Sequence, residues 1–137
     1  MSAEKRWVRV FKESNLKCVY CGIDLASNLE LWHTSTEDHL WPKNGKYGPD
    51  EKETKGSSGL DNMVACCHLC NSLKSSYIPE NLNVKKYVED TGRGTMRIRA
   101  GEKNDYIRKI SEHLTIEYHK YKEIRLEEVE NFDWRKI

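Results

Sequence analysis

The sequence lacks any apolar run of the roughly 20 residues needed to cross a lipid bilayer. No apolar signal segment follows the charged residues 4–6, so export is not expected. Internal repeats and low-complexity tracts are also missing. These absences favour a cytoplasmic globular protein without membrane contact.

A large positive excess is missing as well, because the formal net charge is only +1. A high-affinity nucleic-acid binder without catalysis more often carries a strongly basic surface, so that class is disfavoured. Any contact with a polyanion would have to use a local basic patch.

What is present fits one domain with a thin core. The 137 residues are 37% hydrophobic and 33% charged. A chain of this composition often needs a metal or another cross-link to stabilise it.

The cysteines supply a candidate for that cross-link. Cys18 and Cys21 form one Cys-x-x-Cys pair, and Cys67 and Cys70 form a second. Two-residue spacing lets one turn aim two thiolates at the same ion, and two pairs supply the four sulfur ligands that structural Zn²⁺ prefers. We therefore predict a zinc site rather than disulfides, which an odd cysteine count in an intracellular-looking chain disfavours.

The fifth cysteine, Cys66, is expected to pack as a small apolar residue. Its position beside Cys67 leaves open that it competes with Cys67 as a ligand. His68, between the two predicted ligands of the second pair, is expected on a helix surface.

Hydrophobic periodicity predicts the surrounding elements. Helices are predicted over about 3–14 and, from apolar positions three and four apart, over about 107–124. Alternation predicts a strand over 29–39, and a short apolar run predicts another over 62–66. A short helix should follow the second cysteine pair and end by Pro79, and residues 43–59 should form a long exposed loop.

One domain is expected in three parts: an N-terminal helix in residues 1–15, a zinc-tied core in 16–78, and a C-terminal helical extension in 79–137.

Polar motifs lie in a definite order between and after the cysteine pairs. Asp38-His39 is followed by Pro42, then by Asn62-Met63-Val64, and finally by Cys70-Asn71 with Lys74 three residues later. In this order, the chain resembles the HNH endonuclease family, in the cysteine-flanked branch whose third motif residue is Asn. The resemblance covers residues 18–74. It implies an α+β fold with a ββα-metal core and a structural zinc site of four cysteines, flanked by an N-terminal helix and C-terminal helices.

The resemblance further implies metal-dependent hydrolysis of DNA phosphodiester bonds. His39 would be the general base, Asp38 and Asn71 would hold a catalytic Mg²⁺ or Mn²⁺, and Asn62 would orient the His39 ring or brace the loop around it. These residue types suit the chemistry, because neutral histidine accepts protons near pH 7 and hard cations take oxygen ligands. Neighbours on a regular strand point to opposite faces, so Asp38 and His39 can serve one site only if the strand bends or ends there.

Each of these residues also has an ordinary interpretation. Asp38, Asn62 and Asn71 suit turns or caps, and His39 suits a surface position. At the family spacing we favour catalysis for the set. For three other histidines we favour surface positions: His33, His113 and His119.

Four basic residues are candidates for DNA contact. Lys74 would contact phosphate or else lie on a solvated helix face. Arg93, Arg97 and Arg99 lie in a glycine-bounded stretch that would contact the DNA backbone or else form an exposed loop or hairpin.

Two other function classes remain open. One is a non-catalytic zinc module that binds DNA, RNA or protein. The other is a nuclease subunit that cuts only with a partner, in a defence, mobile-element or phage complex. A homodimer is compatible with the sequence but not required by it.

Overall fold

The computed structural model of the chain describes residues 3–44 and 55–136. Most of the loop predicted over 43–59 therefore lies outside the described residues. The described helices are α1 (Ala3–Glu13), α2 (Leu29–Thr34), α3 (His68–Lys74), α4 (Val84–Tyr87) and α5 (Lys103–Glu130). The described strands are β1 (Thr36–His39), β2 (Lys55–Gly56), β3 (Met63–Cys66), β4 (Val88–Asp90) and β5 (Thr95–Ile98).

Two small sheets organise the α+β fold. β1 pairs antiparallel with β3, in a register that places Asp38 opposite Val64 and His39 opposite Met63. The second sheet has the order β2-β5-β4, with β2 parallel to β5 and β4 antiparallel to it. α3 begins directly after β3, so helix and two-stranded sheet form one continuous unit.

The core lies where α1, β3 and the first half of α5 meet. α1 contributes Val10 and Phe11, and α5 contributes Tyr106, Ile110 and Leu114, all of them buried. These positions follow helical spacing, which explains why the apolar pattern predicted both helices. The first half of α5 therefore packs on the core.

The strand predicted over residues 29–39 is wrong for its first part. The Asn28 side chain accepts a hydrogen bond from the Leu31 backbone N–H at 2.8 Å and caps α2 instead. Trp32, predicted to alternate away from Leu31, packs edge-on against Trp7 and Phe11 of α1. Extended structure begins only at Thr36.

The other predicted elements are confirmed with shifted ends. α1, β3, α3 and α5 occur where the sequence patterns place them. The extension after residue 78 is less helical than predicted, because the β4–β5 hairpin precedes α5. Among the described residues, no helix combines the length and the apolar character that crossing a bilayer requires.

Candidate metal centre and neighbouring polar site

Four cysteine sulfurs meet between the first cysteine turn and the start of α3. The Sγ atoms of Cys18, Cys21, Cys67 and Cys70 all lie within 4.8 Å of one another. The Cys21 and Cys67 sulfurs are 3.8 Å apart. Zn–S bonds of about 2.3 Å in a tetrahedral shell give sulfur–sulfur separations of about 3.8 Å, so the cluster is compatible with a structural metal such as zinc.

Local backbone structure aims each pair at this point. In the first pair, the Gly22 amide donates to the Cys18 carbonyl at 2.9 Å, and Gly22 has a φ of +77°, which glycine adopts without strain. In the second pair, Cys67 caps α3, and its sulfur accepts a hydrogen bond from the Cys70 amide at 3.4 Å.

The four thiols affect one another's ionisation. Hydrogen bonds from neighbouring thiols lower the pKa of Cys18 well below its ordinary value. Hydrogen bonding to Cys18 raises the pKa values of Cys67 and Cys70. Four thiolates this close together would repel one another, and a bound dication would offset part of that repulsion.

Cys66 lies outside the four-sulfur cluster. It is fully buried in β3, and its thiol donates to the Cys67 carbonyl at 3.1 Å. This arrangement confirms the predicted apolar packing and identifies Cys67 as the ligand candidate of the two. His68 is exposed, as predicted.

Asp38 is held in a buried polar network beside this cluster. Its Oδ2 accepts a hydrogen bond from the Tyr20 hydroxyl and lies 3.1 Å from the Lys74 ammonium. Lys74 also donates to the His39 carbonyl at 3.0 Å. Burial and the Asp38 carboxylate raise the pKa of Tyr20 well above its ordinary value, so Tyr20 keeps its proton and remains a donor.

One of the two predictions made for Lys74 is wrong. It is 1% exposed, which rules out a solvated helix face. Its ammonium is already bound to Asp38 and to the His39 carbonyl, so a direct phosphate contact would have to compete with these partners.

His39 makes its contacts with a separate group of residues. Its Nε2 lies 3.0 Å from the Ser58 hydroxyl. Arg6 of α1 donates to the Ser58 carbonyl at 2.9 Å and pairs with Glu37 at 3.1 Å. Glu37 and His39 are two positions apart on β1, on the face opposite Asp38, as strand alternation requires. β1 ends at His39, which meets the condition set for a shared site, although the Asp38 and His39 side chains leave the strand on opposite faces.

Burial favours the neutral form of the His39 ring, and nearby cations add to this effect. Burial lowers the pKa of His39 below its ordinary value of 6.5, and the cationic Lys43, Lys74 and Arg6 lower it further against the opposing effect of Asp38. At neutral pH the imidazole can therefore accept a proton.

Asn62 joins the segment that follows His39 to the loop that contains Ser57. Its fully buried amide accepts from the Trp41 N–H at 2.9 Å and donates to the Trp41 and Ser57 carbonyls at 3.0 and 2.9 Å. Of the two roles predicted for Asn62, this geometry matches bracing of the loop.

Asn71 is half-buried on α3, one turn before Lys74. Residues three apart share a helix face, so Asn71 lies on the side of α3 from which Lys74 reaches Asp38. α3 also packs against β1, the strand that carries Asp38.

The arginines proposed for DNA contact lie in and beside the β4–β5 hairpin. Arg97 pairs with Asp61 at 3.1 Å and Glu89 at 3.0 Å, and Arg99 pairs with Glu89 at 2.9 Å. These acids offset much of the charge that a phosphate would meet. Arg93 is exposed in the turn between the strands.

Four residues of the site escaped the sequence prediction. Tyr20 lies inside the first cysteine pair and Glu37 directly precedes Asp38, so proximity to the motifs was their available signal. Ser58 and Arg6 carry no motif, because folding alone brings the loop and α1 to His39.

Comparisons with protein-family models, with curated proteins and with solved structures find no match to this chain.

Proposed function

We propose that this protein is a metal-dependent nuclease that hydrolyses DNA phosphodiester bonds with His39 as the general base. One observation carries the proposal. A histidine favoured in its neutral form stands at the end of β1, close to three cationic side chains and near a helix whose start is joined by four cysteines to the turn after α1.

The proton chemistry follows from the state of His39. A base that attacks through water must be unprotonated at the working pH and free to form an imidazolium as the water loses its proton. The lowered pKa of His39 provides the first condition. The Asp38 carboxylate, which favours the charged form of His39, would stabilise the imidazolium.

A phosphate of the bound DNA would meet positive charge near His39. Arg6 and Lys43 lie near enough to His39 to lower its pKa. The Arg6 Nε and the Glu37 Oε1 are buried without a hydrogen-bond partner among the described residues. A buried donor without a partner is costly, so a water molecule or phosphate oxygen at Arg6 would remove that cost.

The donor set of Asp38 and Asn71 fits a hard divalent cation, since one carboxylate, an amide oxygen and substrate oxygens are typical Mg²⁺ ligands. When bound, Mg²⁺ or Mn²⁺ would supply Lewis-acid stabilisation of the phosphate and the leaving oxygen. Lys74 would then share Asp38 with the cation. Asn62 would hold the loop that contains Ser57 and Ser58 in place.

The scaffold supports the same proposal. An antiparallel strand pair leads into the short helix α3, and the cysteine cluster joins the start of α3 to the turn after α1. With the ordered motifs from Asp38 to Lys74, this arrangement is consistent with the resemblance to HNH endonucleases.

A plasmid-nicking assay tests the proposal. Protein that retains its cysteine-bound metal but is stripped of other cations would be assayed with Mg²⁺, with Mn²⁺ and without added metal. We expect metal-dependent nicking that His39→Ala reduces by roughly 10²–10⁴-fold, the contribution typical of a general base. The wild-type rate should fall toward acid pH with a midpoint below 6.5, because only the neutral ring accepts a proton.

The matched control is His33→Ala, which removes an exposed histidine on α2. It should nick like the wild type. Equal nicking by wild type and His39→Ala would refute the general-base assignment, and loss of nicking in both variants would point to damaged folding.

A non-catalytic zinc module is the second candidate, and the Tyr20–Asp38–Lys74 network favours it. In that network Asp38 already has an ammonium partner and a hydroxyl donor, and so serves as a structural anion. Folded, metal-loaded protein that binds DNA but cuts it under no metal condition would support this candidate. Cutting that appears only with an added partner subunit would support a partner-dependent nuclease.

A further inference from the structure

An apolar groove lies on the side of the metal cluster formed by α2, α3 and α5. Its volume is about 580 Å³, and its walls include Ile23, Leu31, Leu69, Leu73, Leu114 and Tyr118. Polar side chains contribute little to this lining, so the groove suits an apolar protein surface better than a charged ligand.

The second half of α5 continues from this groove without burial. Buried positions of the helix end at Leu114, and every residue from 118 to 130 is exposed. Leu126 is 51% exposed and Val129 is 63% exposed. Isolated helices of this length are marginal in water, so a packed partner would stabilise this half.

Groove and helix form one continuous surface through Tyr118. This residue lines the groove and also a shallow depression on α5 together with Tyr121, Leu126 and Val129. We call this combined area the α5 surface. Contiguous exposed apolar area of this kind marks interaction sites in soluble proteins.

The distribution of charge along the α5 surface favours a partner with the opposite distribution. Residues 115–122 carry two lysines and one glutamate, a net charge of +1, whereas residues 123–130 carry four glutamates and one arginine, a net charge of −3. Two such helices aligned in parallel would oppose acid with acid. Antiparallel alignment places each basic half against an acidic half.

We propose that the α5 surface binds a second copy of this chain, with the two α5 helices antiparallel. The exposed stretch from 118 to 130 gives an overlap of about 20 Å at 1.5 Å per residue. The acidic half disfavours nucleic acid as the occupant, because a negative surface repels phosphates. Two-fold symmetry makes the contact self-complementary and closed.

Sedimentation equilibrium of the full chain over a wide concentration range tests the proposal independently of nuclease activity. The wild type should show twice the chain mass at the upper end of the range. Leu126→Glu combined with Val129→Glu should sediment as a monomer. Leu29→Glu, at an exposed leucine of α2 that lines neither the groove nor the depression, is the matched control and should leave the dimer intact.

Charge reversal tests the antiparallel orientation. Lys120→Glu with Lys122→Glu should weaken the dimer roughly tenfold, and so should Glu127→Lys with Glu128→Lys, because each change places like charges together. An equimolar mixture of the two variants should restore wild-type affinity.

A wild type that is monomeric throughout would overturn the proposal, as would a dimer that survives Leu126→Glu with Val129→Glu. Charge-reversal variants that dimerise as tightly as the wild type would overturn the antiparallel orientation. Thermal unfolding of each variant should remain cooperative, since all the changed side chains are exposed and the buried positions of α5 end at Leu114.

Discussion

Lys74 and Asp38 bring opposite charges into the interior beside the metal cluster. Lys74 is 1% exposed and Asp38 is 7% exposed, and their charged atoms are 3.1 Å apart. The attraction between buried charges offsets their loss of hydration only while both partners remain. Removal of either partner should therefore destabilise the fold, whether or not Asp38 also binds a catalytic cation.

We expect Lys74→Met to lower the free energy of unfolding by about 3–5 kcal/mol, because it leaves the Asp38 carboxylate buried without its ammonium partner. Lys74→Met combined with Asp38→Asn should lose less than the sum of the two single changes. Urea denaturation of all three variants measures this coupling.

Lys86→Met serves as the control for that experiment. Lys86 lies 4.0 Å from Glu102 in an exposed pair, which should contribute at most about 1 kcal/mol. A Lys74→Met loss as small as the Lys86→Met loss would show that the Lys74–Asp38 pair is not a buried one.

At this scale the sequence predicts residue types better than partners. Asp38, His39, Asn62 and Asn71 stand out by their order along the chain. The ion pair of Lys74 does not, because its partner lies 36 positions earlier and a lysine in a short helix is ordinarily solvated. The same holds for Arg97, whose partner Asp61 becomes a neighbour only through the second sheet.

Gly56 of β2 lies very close to the backbone of a neighbouring segment. A Cβ atom at Gly56 would lie 1.9 Å from the Trp41 carbonyl oxygen and 2.9 Å from the Asn62 Nδ2. The first of these is backbone that cannot move aside cheaply. Glycine therefore permits β2 to pack against the segment that Asn62 braces.

We expect Gly56→Ala to lower the free energy of unfolding by about 1–3 kcal/mol, the usual cost of overpacking, by pushing β2 away from Trp41 and disturbing the Asn62 hydrogen bonds. If the nuclease proposal holds, nicking should fall as well. Thermal unfolding followed by circular dichroism gives the measurement.

Gly101→Ala is the matched control, since a Cβ there meets nothing within 4 Å and the backbone is not left-handed. Its stability should stay within about 0.5 kcal/mol of the wild type. Equal stability of Gly56→Ala and Gly101→Ala would mean that β2 does not pack as described.

The elements with strong periodicity were predictable and the short ones were not. α1 and α5 repeat apolar residues at helical spacing over several turns, so the signal accumulates. α2 has six residues, and the alternation of Leu29 and Leu31 predicted a strand there. The Asn28 cap and the packing of Trp32 on α1 stabilise a helix instead. β2 has two residues and no pattern of its own.

For the molecule as a whole, the four cysteines join the turn after α1 to the start of α3. The sequence predicted this connection, because the two equal Cys-x-x-Cys spacings place four ligands around one ion. The catalytic interpretation rests on the motif order and stays a prediction, since no spacing rule relates Asp38 and Asn71 to a metal as tightly.

We expect about one zinc ion per chain and a loss of cooperative unfolding when a strong chelator removes it, because structural zinc supplies folding free energy directly. Cys70→Ser should reproduce that loss. Metal analysis and thermal unfolding before and after chelation, followed by zinc addition, check the result.

Cys66→Ala is the control for the ligand change, since Cys66 lies beside the cluster but outside it. It should keep the zinc and a cooperative transition with a modest cost for the lost sulfur. Zinc loss in Cys66→Ala, with retention in Cys70→Ser, would contradict the ligand assignment.

The four-sulfur cluster also affects the chain before it folds. Cys21 and Cys67 are 46 positions apart. By the relation used for covalent cross-links, closing a loop of that length removes roughly 4 kcal/mol of conformational entropy from the unfolded ensemble. A metal held at both pairs brings the segments that become β1 and β3 together in advance, whereas the metal-free chain must find that pairing by diffusion of a long loop.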